Sequence, residues 1–143
     1  MTPKLCWLEP GFGDVMAARL VLPLGSATDP SGKEGLHQLL AGSLTRGCGG
    51  LDARSFAEWI ENQGASLRCE AGDDHLQIVL KGVGRDRHDL LPQLLEMVEQ
   101  PTANCEQISL ERDLNLQTLQ RLDEDPFSRA QDRLRQLLFG DGP

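Results

Sequence analysis

No stretch of this chain is apolar for the roughly 20 residues that a membrane helix needs, so no membrane-spanning helix is expected. The opening, MTPKLCWLEP, has no cationic region followed by an apolar stretch and does not read as a secretory signal. A cytoplasmic chain is expected. Runs of cationic residues are missing too: 14 Lys and Arg stand against 22 Asp and Glu, for a net charge of −8. Nucleic-acid binding depends on neutralising phosphates with Lys and Arg, and here those residues are scattered. A solvated acidic surface is the expectation, with no nucleic-acid and no membrane partner. No Cys-x-x-Cys pair occurs. Cys6, Cys48, Cys69 and Cys105 lie far apart and match no zinc template, so they read as reduced thiols packing like small hydrophobes. His37, His75 and His88 are equally dispersed. Internal repeats and low-complexity linkers are absent.

What is present is an ordinary soluble composition. With 143 residues, 39% hydrophobic and 25% charged, the chain is long enough for one domain with a core. Lys4–Leu8 and Val15–Leu24 read as strands joined by the turn Pro10-Gly11-Phe12-Gly13. Leu36, Leu39, Leu40 and Leu44 recur at helical spacing and predict one apolar stripe, stopped by Gly47 to Gly50. Asp52 is placed to cap a second helix with Phe56, Trp59 and Ile60 on its inner face, and Gly64 ends it. Ser66–Glu70 reads as a short strand. After Ala71-Gly72-Asp73-Asp74, the alternation of Leu76, Ile78 and Leu80 with Gln77, Val79 and Lys81 predicts its hairpin partner.

A third helix carries Leu90, Leu91, Leu94, Leu95 and Val98, with Pro92 either in its first turn or kinking it. A fourth runs from about Cys105 to Leu122. Asp125-Pro126 opens a fifth, whose stripe is Ala130, Leu134, Leu137 and Leu138. The order ββααββαα plus a further helix implies an α+β fold: a mainly antiparallel sheet with helices packed on one face.

The segment Gly25-Ser26-Ala27-Thr28-Asp29-Pro30-Ser31-Gly32-Lys33-Glu34-Gly35-Leu36-His37-Gln38-Leu39-Leu40-Ala41-Gly42-Ser43-Leu44-Thr45-Arg46-Gly47 resembles the N-terminal domain of the insulinase (pitrilysin) family of zinc peptidases, which includes the mitochondrial processing peptidases. Its glycines, leucines and the basic residue before Gly47 stay in register with a family pattern that contains the inverted zinc motif His-x-x-Glu-His. Gly64-Ala65-Ser66-Leu67-Arg68-Cys69-Glu70-Ala71, the pair Asp74-His75, Glu111-Arg112, the acidic run Asp123-Glu124-Asp125-Pro126 and the closing Leu137-Leu138-Phe139-Gly140-Asp141-Gly142-Pro143 are similar to further family segments in the same order. The resemblance spans almost the whole of residues 1–143 and implies an N-terminal fragment of a longer peptidase subunit.

The departures fall on the chemistry. A catalytic zinc needs three protein ligands and an open position for water. The resemblance puts Gln38 and Gly42 at the two histidine positions, Ala41 at the general base, and Thr118, seven residues after Glu111, at the third ligand. Together these remove the site, and with it the lowered water pKa and carbonyl polarisation that zinc supplies. Shifting the register to make His37 the first ligand leaves Leu40 and Ala41 at the other two positions and rescues nothing; His37 otherwise reads as a partly exposed helix residue. Glu111 matches a glutamate near the family's zinc, and without a metal reads as a solvated or capping carboxylate. Gly42 costs its helix about 0.5–1 kcal/mol relative to alanine. It points either to close packing by a neighbour or to a vacated pocket.

In the family, the strand after Gly64 adds a substrate peptide by backbone hydrogen bonds. Here that strand is Ser66, Leu67, Arg68, Cys69 and Glu70, either a peptide-holding edge or simply an exposed one, with Arg68 in place of the usual Asn. The resemblance therefore implies a non-catalytic, substrate-binding or regulatory subunit that needs no zinc of its own. It would hold peptide and pair, as a heterodimer, with a catalytic relative bearing the intact motif. Two alternatives stand beside it: a stand-alone interaction module that kept the fold, and an active zinc endopeptidase with displaced ligands.

Overall fold

The computed structural model describes residue 6, residues 13–102 and residues 104–140. The expected strand Lys4–Leu8 and most of the turn after it lie outside the described residues. Within them the chain runs β1 (Val15–Leu22), α1 (Leu36–Leu44), α2 (Ala53–Asn62), β2 (Ser66–Ala71), β3 (Leu76–Val83), α3 (Arg87–Glu99), α4 (Cys105–Glu124) and α5 (Pro126–Phe139). This is the expected α+β order. β1 stops at Leu22, two residues before the expected Leu24, because Pro23 has no N–H to give the ladder.

The three strands are antiparallel in the order β1-β3-β2, so β3 is central. β2 pairs with β3 from Ser66↔Lys81 to Ala71↔Leu76, and β1 pairs with β3 from Val15↔Val83 to Leu22↔Leu76. A strand alternates its side chains between two faces. Met16, Leu76, Ile78 and Leu80 point to one face, where they meet Ala41, Leu44, Cys48, Phe56, Ile60, Leu90, Leu94 and Met97 in a single core. The opposite face carries Val15, Ala17, Arg19 and Val21 of β1, with Arg68 and Lys81 exposed on β2 and β3.

Local signals set the helix ends. Asp52 Oδ1 accepts from Ser55 N at 2.8 Å and caps α2; Asn104 Oδ1 accepts from Glu106 N at 2.8 Å and caps α4. Asp125 Oδ2 accepts from Ser128 N at 2.9 Å and caps α5, whose first residue is Pro126. Gly64, at φ +59°, ends α2, and Ala65 N donates to Ile60 O at 3.1 Å. Pro92 lies in the interior of α3 and not in its first turn. The helix continues across it, short of one backbone donor.

Two stripes sit differently from expectation. In α1 the buried residues are Ala41 and Leu44, while Leu36 and Leu40 are exposed. The small Ala41 lets the helix lie close to the core, and the larger leucines are turned toward α4. In α5, Leu134, Leu137 and Leu138 are all exposed, and α4 and α5 bury no residue completely. The thiols also divide: Cys48 is fully buried and Cys69 half-buried, as small hydrophobes are, but Cys6 and Cys105 are exposed.

Candidate functional site

At the seam between α1 and α4, Gly42 and Glu111 are brought together. The N-terminus of α1 is built from a distance. Gly35, its N-cap, stands at φ +90° and has no side chain to cap with. Asp29 supplies the cap instead: Oδ2 accepts from Gly35 N at 2.7 Å and Oδ1 from His37 N at 3.1 Å. The same Oδ1 lies 2.5 Å from His37 Nδ1. The Asp29 side chain is only 3% exposed and that of His37 12%. Burial pushes the Asp29 carboxyl up, but the His37 ring and the two backbone donors outweigh it and hold it below its ordinary value. His37 is the partly exposed helix residue expected from sequence, and its ring also clamps the loop before α1 through Asp29.

One helical turn on, Ala41 is 1% exposed and faces the core. A Cβ built on Gly42 would collide with the Glu111 carboxylate. Glu111 is held there by Arg46, whose Nη2 and Nε donate to Oε2 at 2.7 Å and 3.2 Å. Their side chains are 13% and 30% exposed. The glycine is therefore explained by close packing and not by a vacated pocket. Glu111 is neither solvated nor a cap; it is one half of a partly buried ion pair that ties α4 to α1. Gln38 is exposed. Thr118 is also exposed, and its hydroxyl donates to the Leu114 carbonyl of its own helix at 2.9 Å.

Ala41 and Gly42 offer no donor atom. The one carboxylate nearby is engaged by a guanidinium, and the Thr118 hydroxyl is turned into its own helix. Among the described residues, no group of three or more His, Cys, Asp or Glu is gathered so that it could hold a metal ion. Beside the ion pair, Leu36, Leu39, Leu40, Leu44, Pro101 and Ile108 line an apolar cleft of about 230 Å³.

The other candidate surface is β2. It is the last strand of the sheet among the described residues, so one row of its backbone N–H and C=O groups is free for an added strand. Leu67, Cys69 and Ala71 pack toward the core, while Ser66, Arg68 and Glu70 are exposed on the other face. Burial pushes the Cys69 thiol up to about 11, which makes it a packing residue and not a nucleophile. Gln77 Nε2 donates to Glu70 Oε2 at 3.1 Å and orients that carboxylate.

The fold is peptidase M16-like. A peptidase M16 inactive domain from Pseudomonas fluorescens superposes with a TM-score of 0.81 over 91% of this chain, at 23% identity. A protease from Helicobacter pylori superposes with a TM-score of 0.73 over 81% of it, at 17% identity. The chain covers 32% of the first structure and 28% of the second, less than a third of each. No family model and no curated protein matches the sequence.

What lies beside Gly42 is not legible in the sequence. Arg46 was visible only as a basic residue in register; nothing local marks it as the partner of Glu111, 65 residues away. Asp29 carried a better signal, since an aspartate ahead of a helix whose N-cap is glycine is a natural distant cap. No helix among the described residues is long and apolar enough to cross a membrane.

Proposed function

We propose that this chain is a non-catalytic, peptide-holding relative of the zinc peptidases whose fold it shares, and that it is the N-terminal portion of a subunit working beside a partner with an intact His-x-x-Glu-His motif. The observation that carries this reading is the exchange at residue 42. Where a ligand side chain would stand, there is glycine, and the space beside it is taken by the Arg46–Glu111 ion pair. An ion pair of this kind, once closed, replaces the metal as the link between the two helices. It keeps the fold and forgoes the chemistry.

Peptide holding survives this exchange because it rests on backbone groups. An added strand needs an edge with free donors and acceptors, and β2 is the last strand of the sheet among the described residues. The free cysteines fit a reducing, cytoplasmic setting. The chain would then bind and position a substrate that another subunit cuts.

The test is affinity purification of the full-length protein from its native cells, followed by mass spectrometry. The expected result is a stoichiometric relative bearing His-x-x-Glu-His, and higher peptidase activity of that relative when this chain is present. Failure to recover one under mild and crosslinked conditions overturns the two-part reading in favour of a stand-alone interaction module. A metal assay finding about one zinc per chain, with peptide cleavage by the chain alone, overturns it in favour of an active enzyme.

A further inference from the structure

The cations of this acidic chain, scattered in sequence, converge in space. On the face of the sheet that the core leaves open, Arg19 of β1 and Arg68 of β2 both pair with Val79 of β3 and so lie in one row across the sheet. Lys81, two residues along β3, pairs with Ala17 on one side and Ser66 on the other. Arg19, Arg68 and Lys81 are all exposed. None of the three has a carboxylate within ion-pair distance among the described residues. The same face carries Val15 and Val21, both exposed, and a single carboxylate on β2, Glu70, which Gln77 of β3 holds. In a chain of net charge −8, this is a local reversal of sign.

Charges on an edge strand often serve only to block unwanted strand pairing. That accounts for Arg68. It does not account for Lys81, which is on the central strand, where no edge needs blocking. Unpaired like charges gathered on one face favour an anionic partner.

The geometry points to an extended acidic peptide segment as the ligand of this edge: a strand added beside β2 that carries a carboxylate side chain opposite Arg68. This deepens the peptide-holding reading above and rests on it. An added strand lies about 4.8 Å from β2, so a Glu or Asp facing Arg68 has its Cβ about 5 Å away and can meet the guanidinium directly. Lys81 is two strand spacings from the newcomer and Arg19 three, about 14 Å. They act through the field, and Arg19 the more weakly, because screening at physiological salt sets in at about 8 Å. Glu70, two residues along β2 on the same face, repels an acid at the next outward position of the peptide. The preferred ligand has one acidic residue facing Arg68 and a neutral or basic one facing Glu70. Register is thereby fixed by charge as well as by backbone.

The experiment measures binding of three fluorescein-labelled peptides to the chain by anisotropy. Each alternates Thr and Val and differs only in a central Glu, Gln or Lys. The expected order is Glu tighter than Gln tighter than Lys, with the extremes separated on the order of tenfold at low salt and less at high salt. Arg68→Glu reverses the order. Lys81→Gln narrows the spread and Arg19→Gln narrows it least. Equal binding of all three peptides overturns the charge inference while leaving the edge-pairing reading standing. Binding of none overturns both. Retention of the Glu preference in Arg68→Glu overturns the placement. Displacement of the Glu peptide by single-stranded DNA at comparable concentration overturns the peptide ligand and makes the face a general polyanion surface.

Discussion

The α1–α4 seam and the β2 edge are two surfaces to which one family resemblance assigns one joint activity, and they depend on different parts of the chain. At the seam the activity depends on side chains. Gln38, Ala41, Gly42 and Thr118 stand at the positions the resemblance gives to the ligands and the base, and the Arg46–Glu111 pair lies beside Gly42. At the edge the activity depends on the backbone, and replacing Asn by Arg68 leaves every N–H and C=O of β2 where it was. The contrast teaches that a site built from side chains is sensitive to a few substitutions, whereas strand addition asks only for the backbone groups of a sheet edge.

The strongest way to break the contrast is to disturb the layer on which both surfaces rest. Phe56, 2% exposed in the core, is expected to cost about 3–5 kcal/mol as Phe56→Ala. Denaturant unfolding reads the loss, and peptide binding should fall with the folded fraction. Gly42→Leu separates the two surfaces. It drives a side chain into the Glu111 carboxylate and is expected to destabilise by about 1–3 kcal/mol, with affinity for peptide at β2 unchanged in the folded protein. The same substitution in a Glu111→Ala background should recover much of that loss, a non-additivity that a double-mutant cycle measures. Arg46→Met leaves Glu111 partly buried without its partner and is expected to cost about 1–3 kcal/mol.

Acid sharpens the comparison further. The Asp29, Asp52 and Asp125 carboxyls all sit below their ordinary values in the fold: Asp29 through His37 and two backbone donors against burial, Asp52 through the Ser55 backbone and hydroxyl, Asp125 through the Ser128 hydroxyl and backbone. The native state therefore binds fewer protons than the unfolded chain. Their contribution is fully present above about pH 4 and is lost as pH falls through the folded values. Asp29→Asn should flatten that acid limb in an unfolding series, and it should loosen the loop before α1 without altering β2. The smallest effect belongs to the exposed Arg54–Glu58 pair, one turn apart on α2. Arg54→Ala is expected to cost no more than about 0.5 kcal/mol.

Much of this was legible in the sequence for physical reasons. The alternation of Leu76, Ile78 and Leu80 fixed the buried face of β3, and Asp52, Asn104 and Asp125 are short-range caps that act on their own helices. What stayed hidden depends on residues distant in sequence. The stripe of Leu36, Leu39, Leu40 and Leu44 has helical spacing, but spacing does not say which side of it meets the sheet; Ala41 took the core side. Gly42 announced close packing or emptiness, and only the fold shows that Glu111 fills the space. Alternation alone places Arg19, Arg68 and Lys81 on outward positions of their strands, but their convergence needs the cross-strand register that pairs both arginines with Val79.

The most direct test of the contrast is amide hydrogen exchange along β2 and α1, with and without the Glu peptide, in the presence of a zinc chelator. The expected result is added protection at the outward-facing amides of β2, no change at the α1–α4 seam, and an intact peptide at the end of the incubation. Protection confined to the seam, or cleavage that the chelator abolishes, would contradict it.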